Sequence, residues 1–300
     1  MHNPPDRAPG NPSPAPAERR SLTRRDALGT IAAAGVASVA TSAASAAGAR
    51  APTLKALDLD DPKANLLALL KILGSTDPRE AVISFSAGRV YACMSERSPL
   101  PLFGTHSIAV ARAMARPDGS FLLRQHIVGF RTRFNSEKFI EQFVNPVTGE
   151  QINLPLTDYH VSDMDYRLDG TFANVKPTPV RINQAGPRPW SRADKIVALS
   201  DDALTTTAGP HQPKVDVVTR FAFAQDLASP RVSSAPSWFS FSAVDPFRPW
   251  LRMNEPGFQL WHVYGRKVRT RADLPGYINQ VAEQRFPGLF ELPYFSATDG

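Results

Sequence analysis

The chain has 300 residues, a formal net charge of +6, 42% hydrophobic residues and 21% charged residues. This composition excludes a collagen, a disordered tail protein and a polytopic membrane protein. The single cysteine, Cys93, excludes an intramolecular disulfide, a cysteine-based zinc cluster and a CxxC redox centre. The 28 prolines argue against a bundle of long helices.

The first 50 residues have the pattern of an export signal. Residues 1–18 are rich in proline, and the pair Arg24-Arg25 precedes an uncharged, alanine-rich stretch over residues 27–48 that ends in small residues. A basic region, an apolar region and a small-residue cleavage site are typical, in this order, of a secretory signal, and the paired arginines favour the twin-arginine route. We therefore predict a Pro-rich leader and twin-arginine signal peptide over residues 1–50, recognised by the twin-arginine export machinery.

The same stretch is long enough for a retained transmembrane anchor. It consists mostly of Ala, Gly, Ser and Thr, however, and has almost no Leu, Ile or Phe. Cleavage is therefore favoured, and the sequence predicts a periplasmic or secreted protein without a stable membrane anchor after cleavage. No nucleic-acid partner is expected, because the sequence shows neither a basic stripe nor an aromatic–basic module.

Residues 53–296 are predicted to form one domain that opens with a helix. Asp61 suits the N-cap, Pro62 suits the first helical position, and Gly74 suits the C-terminal stop. Segments with strand character follow at residues 82–94, 105–116, 120–134, 159–168, 195–199, 214–225, 237–244 and 258–268. The Pro-rich residues 176–190 are predicted to be a loop. A second helix is expected near residues 274–285, before Pro287-Gly288.

The spacing of these segments predicts the fold class. The tripeptide Pro117-Asp118-Gly119 predicts a turn between two long strands. Strands spaced this closely, without helices between them, favour antiparallel pairing. We expect a mainly β, α+β fold: a large antiparallel sheet curled into a lipocalin-like barrel, with flanking N- and C-terminal helices. Such a barrel encloses space for one small ligand.

Several short motifs follow one another in the second half of the chain. They are NPVTGE (residues 145–150), WS (190–191), Trp238, WLRM (250–253), PGF (256–258), HVYGRK (262–267), LP (274–275) and FP (286–287). In this order they resemble the domain of unknown function 1838 family, found in bacteria and fungi. The resemblance covers nearly the whole mature chain and implies one intact domain. It assigns no catalytic residue, since the activity of that family is unassigned.

The sequence identifies no cofactor, because HExxH, P-loop, GxSxG and EF-hand patterns are missing, as is a GxGxxG after a strand. His160, Asp163 and Asp165 resemble a metal cluster in their spacing. On a strand, however, His160 lies on the opposite side from the two aspartates. A polar hairpin is therefore favoured over a metal site.

Two strands carry candidate chemical groups. His126 shares one side of residues 120–134 with apolar residues, and Arg131 lies on the other side. This mixture fits either the interior of a ligand-binding barrel or a hairpin whose far end leaves the sheet. His262 and Tyr264 share a side of the last strand and could form an acid/base pair, or His262 could be a packed histidine with one hydrogen bond.

The string R-P-W-x-R occurs at residues 188–192 and again at 248–252. An arginine two residues from Trp190 or Trp250 could lie on the indole face. The two tryptophans could clamp the structure locally or form a paired rim at the mouth of a barrel.

Three functions fit the sequence. The first is an exported enzyme that transforms a small apolar or aromatic molecule, with His126 and His262 as acid/base groups, Tyr264 as proton donor and Arg131 as anion anchor. The second is a periplasmic carrier or sensor without chemistry, in which tryptophans such as Trp190 and Trp250 contact the ligand. The third is a structural sheet without a cavity.

Overall fold

The first helix lies where the capping residues predict it. A computed structural model describes residues 57–176, 180–182, 188–206 and 213–296. Helix α1 spans Pro62–Leu73; the Asp61 carboxylate accepts from the Ala64 amide at 3.1 Å, and the Gly74 amide donates to the Leu70 carbonyl at 2.7 Å. An N-cap carboxylate and a C-terminal glycine satisfy backbone groups that a helix leaves open at its ends.

Thirteen strands follow in the described chain. They are β1 (Val82–Met94), β2 (Leu100–Ala115), β3 (Phe121–Thr132), β4 (Gln142–Val144), β5 (Gln151–Asn153), β6 (Thr157–Tyr166), β7 (Phe172–Lys176), β8 (Val180–Ile182), β9 (Trp190–Ala193), β10 (Ile196–Thr206), β11 (Pro213–Phe223), β12 (Ser237–Pro246) and β13 (Gly257–Val268). Helix α2 (Ala224–Ala228) follows β11, and α3 (Gly276–Arg285) follows β13. Short 3₁₀ turns lie at Pro249–Leu251 and Arg271–Asp273.

Eleven of the strands form one sheet in the order β8-β7-β6-β3-β2-β1-β13-β12-β11-β10-β9, and β4 and β5 form a separate hairpin. All pairings described within the sheet are antiparallel. The predicted turn at residues 117–119 joins β2 to β3, with Gly119 at φ 94°. The mainly β architecture, with a large antiparallel sheet and few helices, is therefore confirmed.

The sheet curls around α1. Ala68 and Ile72 of this helix pack with Val197 and Leu199 of β10, and its leucines 66, 69 and 70 pack with residues of β2, β3, β6 and β7. One helix thus contacts strands on both sides of the sheet's centre, which requires the face towards α1 to be concave. We call this side of the sheet the concave face and the opposite side the convex face.

A buried arginine next to the edge strand β9 contacts β6 and β7, which lie near the other edge of the sheet. Arg188, only 1% exposed and two residues before β9, places its guanidinium carbon 5.2 Å from the Tyr166 ring centroid and 5.6 Å from that of Phe172. Its backbone also exchanges hydrogen bonds with the side chain of Asn65 on α1. In the described residues no hydrogen-bonded ladder joins β8 to β9, so the described sheet is not closed into the barrel that the sequence predicts.

Each face of the sheet is partly covered by other elements. On the convex face, Ile278 and Ala282 of α3 pack over Ile108, Val110 and Val128. At the end of the concave face remote from α1, the β4–β5 hairpin and the Pro249–Leu251 turn bury Val90 and Phe103. Among the helices of the described residues, none combines the length and the hydropathy that a membrane span requires.

Candidate functional site

The middle of the concave face is less buried than its two ends. Along β2, Ala111 and Ala113 near α1 are buried, Ala109 and Ser107 are half-buried, and Thr105 is buried again. Strand β3 shows the same pattern of burial: Leu123 is buried, Gln125 and Ile127 are half-buried, and Gly129 and Arg131 are buried again. This half-buried stretch of the concave face lies between α1 and the β4–β5 end, and we call it the trough.

Small side chains form the floor of the trough. Ser86 of β1 and Ser107 of β2 lie on the same face, with their hydroxyl oxygens 2.6 Å apart. On β13, Gly265 lies beneath the ring of Phe239, and a Cβ atom at position 265 would clash with that ring. The two serines have small side chains, whereas the space above Gly265 is occupied by the Phe239 ring.

The α1 end of the trough is closed by Lys267. Its ammonium group donates to the carbonyls of Lys71 and Gly74 at 2.6 and 2.9 Å, and to the Ser234 hydroxyl at 2.7 Å. A cation at a helix C-terminus stabilises the open carbonyls and the negative end of the helix dipole. Burial lowers the pKa of Lys267 to about 7, while Glu80 acts in the opposite direction. These contacts make Lys267 a cap of α1.

Arg131 lies at the opposite end of the trough. Its guanidinium carbon is 5.2 Å from the Trp261 ring centroid and 5.7 Å from that of Phe103. Its nitrogens donate to the hydroxyls of Thr157 at 2.8 Å and Thr105 at 3.2 Å. The group is 6% exposed and is held by neighbours on three other strands, β2, β6 and β13, so it has little conformational freedom.

His262 and Tyr264 lie on the convex face, away from the trough. The Nδ1 atom of His262 is 3.0 Å from the Ser242 hydroxyl, and its Nε2 atom contacts the hydroxyl of Tyr264. Tyr264 is 58% exposed. The predicted neighbours are therefore hydrogen-bonded to each other, but on an open part of the sheet.

His126 also lies on the convex side, far from His262. His126 pairs with Val110, Val110 with Ile83, and Ile83 with Val268, which is six residues from His262. Six residues of strand separate the two histidines by about 20 Å along the sheet, in addition to three strand spacings. The structure thus separates the two acid/base candidates from each other and places Arg131 on the other face.

The two tryptophans of the repeated string occupy different ends of the sheet. Trp190 packs beside the cluster formed by α1 and β10, and the guanidinium carbon of Arg192 lies 5.2 Å from its ring centroid. Trp250 packs on Phe103 with ring centroids 6.0 Å apart, and its neighbour Arg252 reaches Glu150 at 3.5 Å. The arrangement fits two local clamps rather than a paired rim.

The aspartates considered for a metal site are engaged by arginines. Asp163 accepts two hydrogen bonds from Arg124, each at 2.8 Å, and Asp165 accepts one from Arg167 at 2.9 Å. The side chain of His160 lies outside the described residues. Within the part of the chain that the structure describes, no group of three His, Cys, Asp or Glu side chains is arranged to hold a metal ion.

Several residues that matter in the structure received no role from the sequence. His106, 7% exposed, is 2.8 Å from the Tyr277 hydroxyl of α3 through its Nδ1 atom. Ser86 and Ser107 form the trough floor. The sequence does carry a signal for Ser107. Thr105, Ser107 and Ala109 alternate with larger residues along β2, which indicates that one side of this strand carries small side chains.

No protein-family model matches the chain, and a search of curated proteins found no significant match.

Proposed function

We propose that this protein binds a small apolar or aromatic molecule in the trough and acts as a carrier or sensor. The observation that carries the proposal is the half-buried, small-residue stretch between two buried ends of the concave face. Binding sites for small molecules are concave, mostly apolar and supplied with a few polar groups. Ile127 and Phe241 supply apolar surface here, and Arg131 and the Ser86–Ser107 pair supply the polar groups.

Catalysis is the second candidate, and it has weaker support. The hydrogen-bonded series Ser242–His262–Tyr264 has groups suited to proton transfer. It lies on the convex face, however, where the backbone amides of β12 and β13 take part in strand pairing. Water exclusion and a preorganised donor for a developing charge are therefore not supplied by these strands. His126 lies far from His262, and Arg131 lies on the other face of the sheet. One active site that combines these three residues with Tyr264 is therefore not supported.

Two further expectations stay proposals. We propose that the curled sheet acts as an incompletely closed lipocalin-like barrel, supported by the contacts of α1 and Arg188 with both of its sides. Export by the twin-arginine route to the periplasm is supported by residues 1–50 of the sequence. The resemblance to the domain of unknown function 1838 family stays a prediction and contributes no residue role.

Filling the trough tests the binding proposal. The full-length protein is expected to increase the fluorescence of N-phenyl-1-naphthylamine, a neutral apolar probe. The A109W variant should lose at least ten-fold in affinity for the probe, because the indole would occupy the half-buried middle of the trough. V217W adds the same side chain on the convex face of β11, where Val217 is exposed, and should bind like the wild type.

Circular dichroism of each variant shows whether the sheet is retained. If V217W lost probe binding and a folded A109W kept it, the ligand surface would be the convex face and the proposal would be wrong. Absence of binding by the wild type would also contradict it.

A further inference from the structure

We infer that the convex side of β1, β11, β12 and β13 is a membrane-contact surface that binds an anionic phospholipid bilayer. We call this part of the convex side the outer face. It lies on the side of the sheet opposite the trough, so the inference does not depend on the proposed binding of a small molecule.

The first support is that the outer face is apolar and is not covered in the described part of the chain. Helix α3 packs over Ile108, Val110 and Val128, which belong to the other half of the convex side. The outer face instead carries half-buried or exposed apolar side chains: Val215, Val217, Phe221, Trp238, Val244, Phe258, Leu260 and Tyr264. None of these eight belongs to the buried clusters under α3 or on the concave face.

The second support is the size of the outer face. Trp238 and Pro246 are eight residues apart along β12, which is about 27 Å, and four neighbouring strands are about 19 Å wide. The footprint is therefore about 500 Å², including the hydroxyls of Ser240 and Ser242. The largest apolar patch of a soluble monomer measures about 300–600 Å², and patches of this size mark sites of protein or membrane interaction.

The third support is the charge of the outer face. Its charged side chains are Arg89 and Arg266, both exposed, and its positions include no Asp or Glu. Asp202 lies on the next strand, β10, which is the limit of the face. The carboxylate of Asp273, in the turn after β13, accepts from the amide and the hydroxyl of Thr270. An apolar surface with arginines and without carboxylates complements an anionic lipid surface.

The curvature of the sheet favours a bilayer over other partners. Two convex faces touch only along a ridge, so a second copy of the chain would bury little of the outer face, and a convex surface does not enclose a small molecule. The headgroup region of a bilayer is deformable and receives protruding side chains. Tyr264 and Phe258, the most exposed rings of the face at 58% and 40%, suit this region, because aromatic rings and the apolar stems of arginines bury there while their polar ends stay hydrated.

Trp238 allows a test that reports the place of contact. It is the one tryptophan of the chain on the outer face, since Trp190, Trp250 and Trp261 pack in clusters of the concave side. Vesicles of equal parts phosphatidylcholine and phosphatidylglycerol with brominated acyl chains quench indoles at short range. We expect them to quench the fluorescence of the full-length protein. W238F should lose this quenching, and W250F should retain it.

Co-sedimentation with vesicles tests the role of charge. The wild type should bind the mixed vesicles about ten-fold more tightly than vesicles of phosphatidylcholine alone, because each arginine near an anionic surface strengthens binding. R89Q/R266Q should lose this preference. The control R79Q/R231Q changes two exposed arginines of loops and should keep it. The preference should also shrink as NaCl is raised, because the Debye length falls.

The same assay tests the apolar contact. Y264S/F258S should weaken binding to both kinds of vesicle by about ten-fold, since the two most exposed rings no longer enter the headgroup region. The control V144S/L156S replaces two exposed apolar side chains near the β4–β5 hairpin and should bind like the wild type. Circular dichroism of each variant shows whether the sheet is retained.

Three outcomes would overturn the inference: no binding of the wild type to the mixed vesicles, quenching that W238F retains, or wild-type binding by both R89Q/R266Q and Y264S/F258S. Dimers in sedimentation velocity that Y264S/F258S abolishes, without vesicle binding, would assign the face to a second copy and also overturn it. None of these results changes the test of the trough with N-phenyl-1-naphthylamine. If Y264S/F258S does not fold, the quenching of W238F and the lipid preference of R89Q/R266Q decide.

Discussion

At the scale of single residues, the contact between His106 and Tyr277 shows how one buried pair ties α3 to the sheet. Burial lowers the pKa of His106. Burial and the nearby charge of Glu137 together raise the pKa of Tyr277 to about 12. Both groups are therefore neutral near pH 7, and the Tyr277 hydroxyl can donate to the Nδ1 atom of His106. Because burial disfavours the charged imidazole, protonation of His106 weakens the attachment of α3 to β2.

This pair predicts a loss of stability in acid. The reference pKa of the histidine is 6.5, and the folded value is lower, so below about pH 7 the unfolded chain binds more protons than the folded one. The free energy of unfolding should therefore fall as the pH decreases through 6.5. Urea denaturation at pH 7.5, 6.5 and 5.5 measures it, and H106F should show a smaller decrease than the wild type. An equal slope in H106F, with H262Q as an exposed-face control, would contradict the assignment.

The sequence predicts which residues of a strand share a side, but it does not show which side faces the core. Alternation along a strand correctly placed His126 and Arg131 on opposite sides, and His262 and Tyr264 on the same side. It could not tell which side of each strand faces α1, because both sides of β3 carry apolar and charged residues. The concave side is decided by curvature of the whole sheet, which involves strands distant in sequence.

At the scale of elements, α1 owes its place to contacts at its sides and ends. The side chain of Asn65 donates to the carbonyls of Leu59 and Arg188, each at 3.0 Å, and accepts from the Arg188 amide at 3.3 Å. One buried amide thus joins the segment before α1, the helix itself and the segment before β9. The helix therefore holds the edge of the sheet that approaches β6 and β7.

Removal of the Asn65 side-chain amide should strongly lower the free energy of unfolding. N65L keeps the approximate volume but leaves three buried backbone groups without their partner, and it should lower the free energy of unfolding by about 3 kcal/mol. Urea denaturation at pH 7.5 measures the change. L67N is the matched control on the same helix, because Leu67 is 45% exposed, and it should change the free energy by less than about 0.5 kcal/mol. Similar effects of the two variants would show that Asn65 does not tie the elements together.

Prediction of elements succeeded where local signals are strong. The caps of α1, the turn before β3 and the last helix depend on residues only a few positions apart, and all three lie close to their predicted places. The hairpin β4–β5 and strands β7, β8 and β9 have three to five residues each and were not predicted; β8 falls within the predicted loop at residues 176–190. Strands this short are specified by their partners rather than by their own periodicity.

At the scale of the whole molecule, residues 1–50 predict export by the twin-arginine route. The paired arginines of a twin-arginine signal are read by a receptor, and their guanidinium geometry is not reproduced by lysine. R24K/R25K should therefore abolish delivery to the periplasm in a host with the twin-arginine machinery. Cell fractionation and immunoblotting measure the exported share.

The control for export is R19K/R20K, which changes a neighbouring arginine pair by the same substitution and should leave export intact. Unchanged export of R24K/R25K would contradict the twin-arginine route. Export of R24K/R25K in a strain lacking that machinery would indicate a different signal.

The sequence by itself determined the mainly β composition of the fold, the N-terminal helix with its caps and the sides on which strand residues lie, because these depend on neighbours close in the chain. Tertiary structure alone decided that the sheet curls around α1, that Arg131 closes one end of a trough and that His126 lies far from His262. These features follow from pairings such as Ile83 with Val268 and from contacts of α1 with both sides of the sheet. Residues so distant in sequence leave no local pattern from which their proximity could be predicted.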